Sequence, residues 1–141
     1  MQLFDSWGGM LSYDDYRDWS ARYTRRIFDQ LKDTGAPRIL FVNNVAPYLP
    51  LVNEIDCEVV GVDYRIDIAE AMRSLPGKAI QGNLDPAVLF ESEERVIART
   101  RHLLDRVPYL DRFIFNLGHG IRPGTPVESV AAVVKTVHSY R

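Results

Sequence analysis

The sequence predicts an α/β protein built on a parallel β-sheet, and three observations support this prediction. A short apolar run and a helical stretch alternate five times along the chain, and each apolar run ends in polar residues. The apolar runs are continuous, as in strands of a parallel sheet that is covered on both faces. Strand–helix–strand repetition also requires parallel strands with right-handed crossovers. The predicted strands are residues 1–4, 38–42, 58–62, 78–80 and 112–115.

The first unit joins strand 1–4 to a long helix that we expect over residues 13–32. Ser12 is a suitable N-cap, and Asp15 lies three residues later in a capping-box arrangement. Gly35 is expected to end the helix, and Pro37 prevents it from resuming. Five large side chains recur at helical spacing and are expected to form one buried stripe. They are Tyr16, Trp19, Tyr23, Ile27 and Leu31.

The second and third units are shorter. Strand 38–42 leads into a short helix that begins at Pro47. Strand 58–62 leads into a helix that Asp67 caps, with Glu70 at the third position. The apolar side chains expected to face inward from these two helices are Leu51, Val52, Ile55, Met72 and Leu75.

In the fourth unit, strand 78–80 runs into a polar strand end, residues 81–86, and Ser92 opens the next helix. Acidic residues in the first turn of that helix suit the positive end of its dipole. The fifth strand is followed by a strong helix start, with a cap, a proline in the first turn and a glutamate at the third position. These three residues are Thr125, Pro126 and Glu128.

Two architectures fit five such units. The strands could form an open, doubly wound sheet. They could instead be part of a barrel that needs eight strands. The residue pattern alone does not choose between them, but both architectures place the functional site at the carboxyl ends of the strands, here called the rim.

His119 is the most informative rim residue because it lies between Gly118 and Gly120, directly after an apolar strand. Glycines let a backbone approach a ligand closely, and histidine can donate to a carboxylate or shuttle a proton near neutral pH. The structural alternative is a turn histidine that bonds to backbone.

Ser6 is a candidate hydrogen-bond donor to a substrate oxygen, although a serine at a strand end can also serve as a cap. Asp63 is either a site residue or the structural partner of Arg65. The further rim candidates are Trp7, Asn83 and Asn116.

The composition limits the class of protein. The chain has 141 residues, which suits one domain over 1–141, and its net charge of −2 gives no electrostatic case for nucleic acid or an anionic membrane. The one cysteine, Cys57, cannot form an internal disulfide or a thiolate-rich metal site by itself, so we expect a cytoplasmic setting.

Four segments together resemble the uroporphyrinogen decarboxylase family, in its order and at about its spacing. The segments are residues 3–9, 60–64, 81–86 and 116–120. The resemblance implies a (β/α)8 barrel, a homodimer and a cytoplasmic enzyme of haem biosynthesis. Such an enzyme removes carbon dioxide from the four acetate arms of uroporphyrinogen III, giving coproporphyrinogen III, without a metal or an organic cofactor.

By this resemblance Ser6 and His119 match positions that contact the substrate. The family's arginine-rich segment on the first strand, the aspartate after the second and the tyrosine after the third have no counterparts in this sequence. The resemblance therefore implies that the chain supplies strands four to eight of the barrel. We expect it to be inactive alone, and to dimerise or to require a complementing N-terminal fragment.

Three alternatives remain open at this stage. A corrinoid-linked methyltransferase relative would hold zinc with histidine and cysteine, whereas Cys57 precedes a strand and does not lie on the rim. A non-catalytic binding or assembly fragment would bind a tetrapyrrole without turnover. A flavodoxin-like domain would need a phosphate-binding loop, which the sequence does not contain.

Overall fold

The computed structural model describes residues 1–140 and contains five parallel strands in one sheet. The strands are β1 (Gln2–Asp5), β2 (Ile39–Val42), β3 (Val59–Gly61), β4 (Ala79–Leu84) and β5 (Phe113–Leu117). The predicted end of the fourth strand at residue 80 is wrong, because β4 continues to Leu84. Residues 80–84 pair with residues 113–117 of β5, and this long-range pairing extends the strand.

The helices alternate with the strands as predicted. The helices are α1 (Tyr13–Asp15), α2 (Arg22–Gln30), α3 (Leu49–Asn53), α4 (Ile68–Ser74), α5 (Glu93–Asp105) and α6 (Val127–Ser139). Within residues 1–140, no helix is long and apolar enough to cross a membrane. The predicted caps at Ser12 and Asp67 accept hydrogen bonds from helix amides. Thr125 is not a cap, because Pro126 holds that position and the Thr125 hydroxyl donates to the Arg122 carbonyl.

The strand order identifies the architecture. The strands lie side by side in the order β1-β2-β3-β4-β5, and every neighbouring pair is parallel. A doubly wound sheet reverses direction at a switch point, whereas a (β/α)8 barrel adds each strand beside the previous one. The chain therefore forms five consecutive units of a partial (β/α)8 barrel.

The sheet is also curled. In a flat sheet β1 and β4 would lie about 14 Å apart, because neighbouring strands are about 4.8 Å apart. Even so, the side-chain amide of Gln81 on β4 lies 3.4 Å from the side-chain oxygen of Gln2 on β1. The concave surface on which these two side chains meet is called the inner face here.

The strand register shows which side chains lie on the inner face and which belong to the core. On the outer face of the sheet, Leu40, Val60 and Ile80 lie side by side and are fully buried beneath the helices. The next row, on the inner face, contains Phe4 and Ile114, both exposed. The full row is Phe4, Phe41, Gly61, Gln81 and Ile114.

The predicted stripe on the first helix is wrong for Trp19, Tyr23 and Ile27, whereas Leu31 is partly buried and packs against the core. Tyr16 is fully buried, but Trp19, Tyr23 and Ile27 are 68%, 44% and 42% exposed. The reason is a π-helical segment, Tyr16–Ala21, between α1 and α2. A π turn contains one extra residue, which rotates the following helix and moves the buried positions by one. The side chains that face the core are Tyr16, Ala21, Thr24 and Phe28.

A charged pair joins the starts of β2 and β3. The Arg38 guanidinium is buried, donates to both carboxylate oxygens of Glu58 at 3.2 and 2.6 Å, and donates to the Phe28 carbonyl. These hydrogen bonds from Arg38 lower the pKa of Glu58 from 4.5 to about 2. The pair therefore connects the end of α2 to two strands.

We expect this pair to stabilise the fold only when Glu58 is ionised. Because the folded pKa is the lower one, the stabilisation is complete above the unfolded pKa and is lost as the pH falls towards about 2. Glu58 is half exposed, so solvent screening limits the effect to about 1 kcal/mol. Urea unfolding across this pH range should show the stability difference between the unmodified chain and Glu58→Gln shrinking with acid. A difference that does not depend on pH would contradict the assignment.

Candidate active site

Ser6 and His119 line one cavity of about 380 Å³ at the rim. Ser6 follows β1 and His119 follows β5, which are the two edges of the sheet. Only a curled sheet can bring its two edge strands to a common cavity. The structure therefore brings together the two residues that the sequence singled out.

The rest of the cavity combines an apolar wall with a few polar groups. Phe4 and Phe41 are register neighbours whose ring centroids are 5.9 Å apart, and Gly61 beside them leaves room for the Phe41 ring. In the part of the chain that the structure describes, no carboxylate side chain lines this cavity. The other lining residues are Gln2, Asn116, Leu117, Gly120 and Ile121.

The turn that carries Ser6 is held on both sides. The Asp5 carboxylate accepts a hydrogen bond from the Gly8 amide at 2.7 Å and one from the Ser20 hydroxyl. Gly9 packs so closely on the next rim turn that an added Cβ would lie 1.7 Å from the Asn43 carbonyl oxygen. Ser6 is thus presented from a fixed turn.

Trp7 does not share this cavity. It is 76% exposed and lines a shallow groove on the outer surface with Trp19 and Tyr23. β1 ends at Asp5, so Ser6 and Trp7 lie in the turn that follows, in which Ser6 lines the cavity and Trp7 lines the groove.

One ring nitrogen of His119 accepts a backbone hydrogen bond, and the other forms no hydrogen bond within residues 1–140. Its Nδ1 accepts a hydrogen bond from the Gly120 amide at 2.8 Å, which is the backbone bond of a turn histidine. In the neutral imidazole the proton is then on Nε2, which remains available to donate to a ligand. The structural and the functional interpretations of His119 are therefore compatible.

Gly118 brings the end of β5 against the turn after β3. An added Cβ at Gly118 would lie 2.4 Å from the Tyr64 amide nitrogen, and the Gly118 amide donates to the Leu84 carbonyl at 2.7 Å. No other residue type fits this contact without a shift of backbone. The contact places His119 beside residues 63–65.

Asp63 acts as a scaffold for this turn. It is 1% exposed, and its carboxylate accepts from the Val45 amide at 3.1 Å and from the Arg65 amide at 2.8 Å. Of the two roles considered from the sequence, this geometry favours the structural partner of Arg65. A carboxylate engaged in this way is poorly placed to act as an acid or a base.

Asn83 and Asn116 differ in their surroundings. The buried Asn83 amide donates to the carbonyls of Asp63 and Ile66 and so fixes the same turn. Asn116 is exposed on the cavity wall, where its side-chain oxygen accepts from the Leu117 amide and its NH2 group is free to meet a ligand.

The residue pattern predicts neither the apolar wall nor Arg122 at the site, and it predicts Arg65 at the rim only as a partner of Asp63. The strand predictions include Phe4 and Phe41 but do not say on which face of the sheet these side chains lie. The period-two pattern that runs from Phe4 to Ser6 could have placed Phe4 in the site. Arg65 and Arg122 border a second cavity beside His119. No local signal in the sequence brings these two arginines together.

Within residues 1–140, no three His, Cys, Asp or Glu side chains are arranged to hold a metal ion. Cys57 is buried before β3, at the end of the sheet opposite the rim. Burial raises the pKa of the Cys57 thiol. Its position does not suit the zinc ligand that a corrinoid-linked methyltransferase would need on the rim.

Comparison with known proteins agrees with the resemblance seen in the sequence. Residues 1–140 match the family described as Uroporphyrinogen decarboxylase (URO-D). Over 99% of its length, the chain is 43% identical to a uroporphyrinogen decarboxylase of Delftia acidovorans and 45% identical to one of Streptomyces coelicolor. The chain spans 43% and 39% of these two relatives, or about two fifths of their length.

A solved structure, described as a methyltransferase from Methanosarcina mazei, has a similar fold. It superposes with a TM-score of 0.79 at 19% sequence identity, covering 96% of this chain and 40% of that one. At this identity the likeness concerns the fold alone. The family match, by contrast, rests on sequence over residues 1–140, and this chain belongs to the uroporphyrinogen decarboxylase family.

Proposed function

We propose that this chain provides strands four to eight of a uroporphyrinogen decarboxylase barrel, with Ser6 and His119 as substrate-binding residues. The complete barrel would convert uroporphyrinogen III into coproporphyrinogen III and four molecules of carbon dioxide. The observation that carries the proposal is the cavity shared by Ser6 and His119 at the rim of a chain of this family.

The cavity suits a tetrapyrrole with acidic arms. The aromatic wall of Phe4 and Phe41 offers an apolar surface for the macrocycle. The His119 Nε2–H, the Ser6 hydroxyl and the Asn116 amide are donors for carboxylate oxygens. The absence of a carboxylate from the lining avoids repulsion of an anionic ligand.

In this reaction the substrate itself provides the electron acceptor for decarboxylation. A protonated pyrrole ring accepts the electron pair of the breaking carbon–carboxylate bond as carbon dioxide leaves. A proton then adds to the exocyclic carbon and the ring loses the proton that it had gained, so that each acetate arm becomes a methyl group and the neutral pyrrole is restored. The protein must orient the arms and stabilise the positive charge on the ring. Neither task requires a metal or an organic cofactor in this mechanism.

The cavity alone is too poor in charge to perform this reaction. Among residues 1–140, none of its lining residues is an arginine, a lysine or a carboxylate that could stabilise the cationic ring. We therefore expect three further βα units to supply these groups. Two features support this view. β1 and β5 each pair with one strand only, and the chain spans about two fifths of its relatives.

The outer apolar groove is the proposed contact surface for those units. Trp7, Trp19, Tyr23 and Ile27 are exposed beside the unpaired edge of β1. Apolar groups grouped in this way commonly mark an interface. A homodimer and a cytoplasmic setting also belong to the proposal, as the resemblance implies.

The test is a complementation assay. The purified chain is mixed with a fragment of the Delftia acidovorans relative that comprises the part outside the match, and coproporphyrinogen formation from uroporphyrinogen III is followed without oxygen. We expect no turnover by either part and turnover by the mixture. His119→Gln and Ser6→Ala should each lower kcat/KM of the mixture about tenfold or more, as loss of a charge-assisted hydrogen bond does.

The controls separate the alternatives. His102→Gln changes an exposed histidine of α5 outside the Ser6–His119 cavity and should leave turnover unchanged. Robust turnover by the chain alone would refute the need for further units. Tight association of the two parts with porphyrin binding but no turnover would instead favour a non-catalytic binding fragment.

A further inference from the structure

A second cavity adjoins the Ser6–His119 cavity at the rim. Its volume is about 390 Å³, and it shares His119, Gly120 and Ile121 with the first cavity. The charged residues of its lining are Arg65 and Arg122. His119 therefore lies between the two cavities and lines both of them.

Arg65 is held in place but keeps donors free. Its Nη1 lies 3.3 Å from the Asn43 side-chain oxygen and 3.4 Å from Asp63 Oδ1, and its guanidinium stacks at 4.6 Å over the Tyr64 ring. Its Nε and Nη2 groups donate to no residue in 1–140. A guanidinium restrained in this way loses little side-chain entropy when it binds a carboxylate.

Arg122 is fixed at its backbone and free at its side chain. Its carbonyl accepts hydrogen bonds from the Thr125 hydroxyl at 2.7 Å and from the Thr125 amide at 3.2 Å, which shape the turn. Its guanidinium forms no ion pair with any residue in the described part of the chain. It is therefore a cation without a protein counter-ion.

The charge of the cavity is unbalanced. Among residues 1–140, no aspartate or glutamate lines the cavity, and the buried Asp63 accepts from two backbone amides and forms a salt bridge with Arg65 at 3.4 Å. Arg122 therefore adds a positive charge that no carboxylate in this part of the chain offsets. Guanidinium donors with an excess positive charge favour a planar anion that accepts two hydrogen bonds.

We propose that Arg65 and Arg122 bind carboxylate arms of the ligand whose ring occupies the Ser6–His119 cavity. The inference rests on the proposed function and extends its site to a second cavity. The arms held here are those that the reaction keeps, because an ion pair stabilises a carboxylate and opposes its loss as carbon dioxide. The two arginines then act in substrate binding and orientation.

The test measures binding by the 141-residue chain itself. Uroporphyrin, a fluorescent porphyrin with eight carboxylates, is one probe, and mellitate, a small planar polycarboxylate, is the other. Arg65→Gln and Arg122→Gln should each weaken the binding of either probe about tenfold, since a hydrogen bond to a charged group contributes about that much. The double variant should also bind with a smaller dependence on salt concentration.

Arg101→Gln is the matched control. Arg101 is exposed on α5, lies outside both cavities and forms no ion pair within residues 1–140. This change removes the same charge and should leave the affinity for both probes within about twofold. Thermal unfolding of all variants checks that their folds are unchanged.

The two probes separate this inference from the proposed function. If uroporphyrin binds the chain and the arginine variants behave like Arg101→Gln, the inference is overturned and the proposed function stands. If mellitate binding depends on the two arginines but uroporphyrin does not bind even with the complementing fragment present, the carboxylate site stands and the proposed function is overturned. Failure of both probes to bind, with and without that fragment, overturns both.

Discussion

Replacing Gly118 with alanine is expected to lower the free energy of unfolding by about 3 kcal/mol, near the upper end for an overpacked site. The new Cβ would lie 2.4 Å from the Tyr64 amide nitrogen and 3.0 Å from the Asp63 carbonyl carbon. Both neighbours are backbone atoms, so relief requires a shift of the whole turn. The Gly118 amide also donates to the Leu84 carbonyl, which resists movement of β5.

Gly120→Ala provides the matched control, two residues further along the same loop. A Cβ at Gly120 would meet no heavy atom within 4 Å, so its effect on stability should stay within about 0.5 kcal/mol. Urea unfolding followed by circular dichroism measures both variants. Equal effects of the two substitutions would contradict the close contact between the end of β5 and the turn after β3.

The second large effect is expected at Asp63. Asp63→Ala removes the acceptor of the buried Val45 amide and the partly buried Arg65 amide, and leaving both donors unpaired should cost about 3 kcal/mol in total. Asp63→Asn retains one acceptor oxygen and should cost less. The alanine variant also frees the Arg65 side chain from its partner at 3.4 Å, so the binding of a carboxylate probe should weaken with it.

Asp33→Ala is the comparison for this change. Asp33 is exposed near the end of the first helix and forms no ion pair within residues 1–140, so its replacement should alter stability by no more than about 0.5 kcal/mol. Chemical unfolding gives the stabilities, and titration with mellitate gives the affinity. Unchanged stability of Asp63→Ala would show that the carboxylate does not support the turn, and would reopen a direct role for Asp63 in the site.

Both predictions concern the packing of the rim turns around residues 63–65. The end of β5 packs on residues 63–65 through Gly118, and Asp63 ties those residues to Val45 after β2. His119 and Arg65 thus occupy their positions because three rim turns interlock. Damage to this contact should reduce ligand binding as well as stability, whereas loss of Arg122 should reduce binding alone.

The first helix explains where prediction from the sequence failed. Its limits followed from the Ser12 cap and from Gly35, which has a φ of 68°. Its buried face did not follow, because the π-helical segment adds a residue to one turn and changes which side chains point inward. The same change leaves Trp19 exposed beside Trp7, in the groove that we propose for the missing units.

The sequence alone was sufficient for the five strand–helix units, most helix starts and the family, because these depend on patterns within a few neighbouring residues. It also identified Ser6 and His119 as candidates. Their common cavity, the scaffold role of Asp63 and the meeting of Arg65 with Arg122 depended on the tertiary structure. The curl of the sheet and the packing of its rim turns bring together residues that are far apart in the chain, and no local pattern records such contacts.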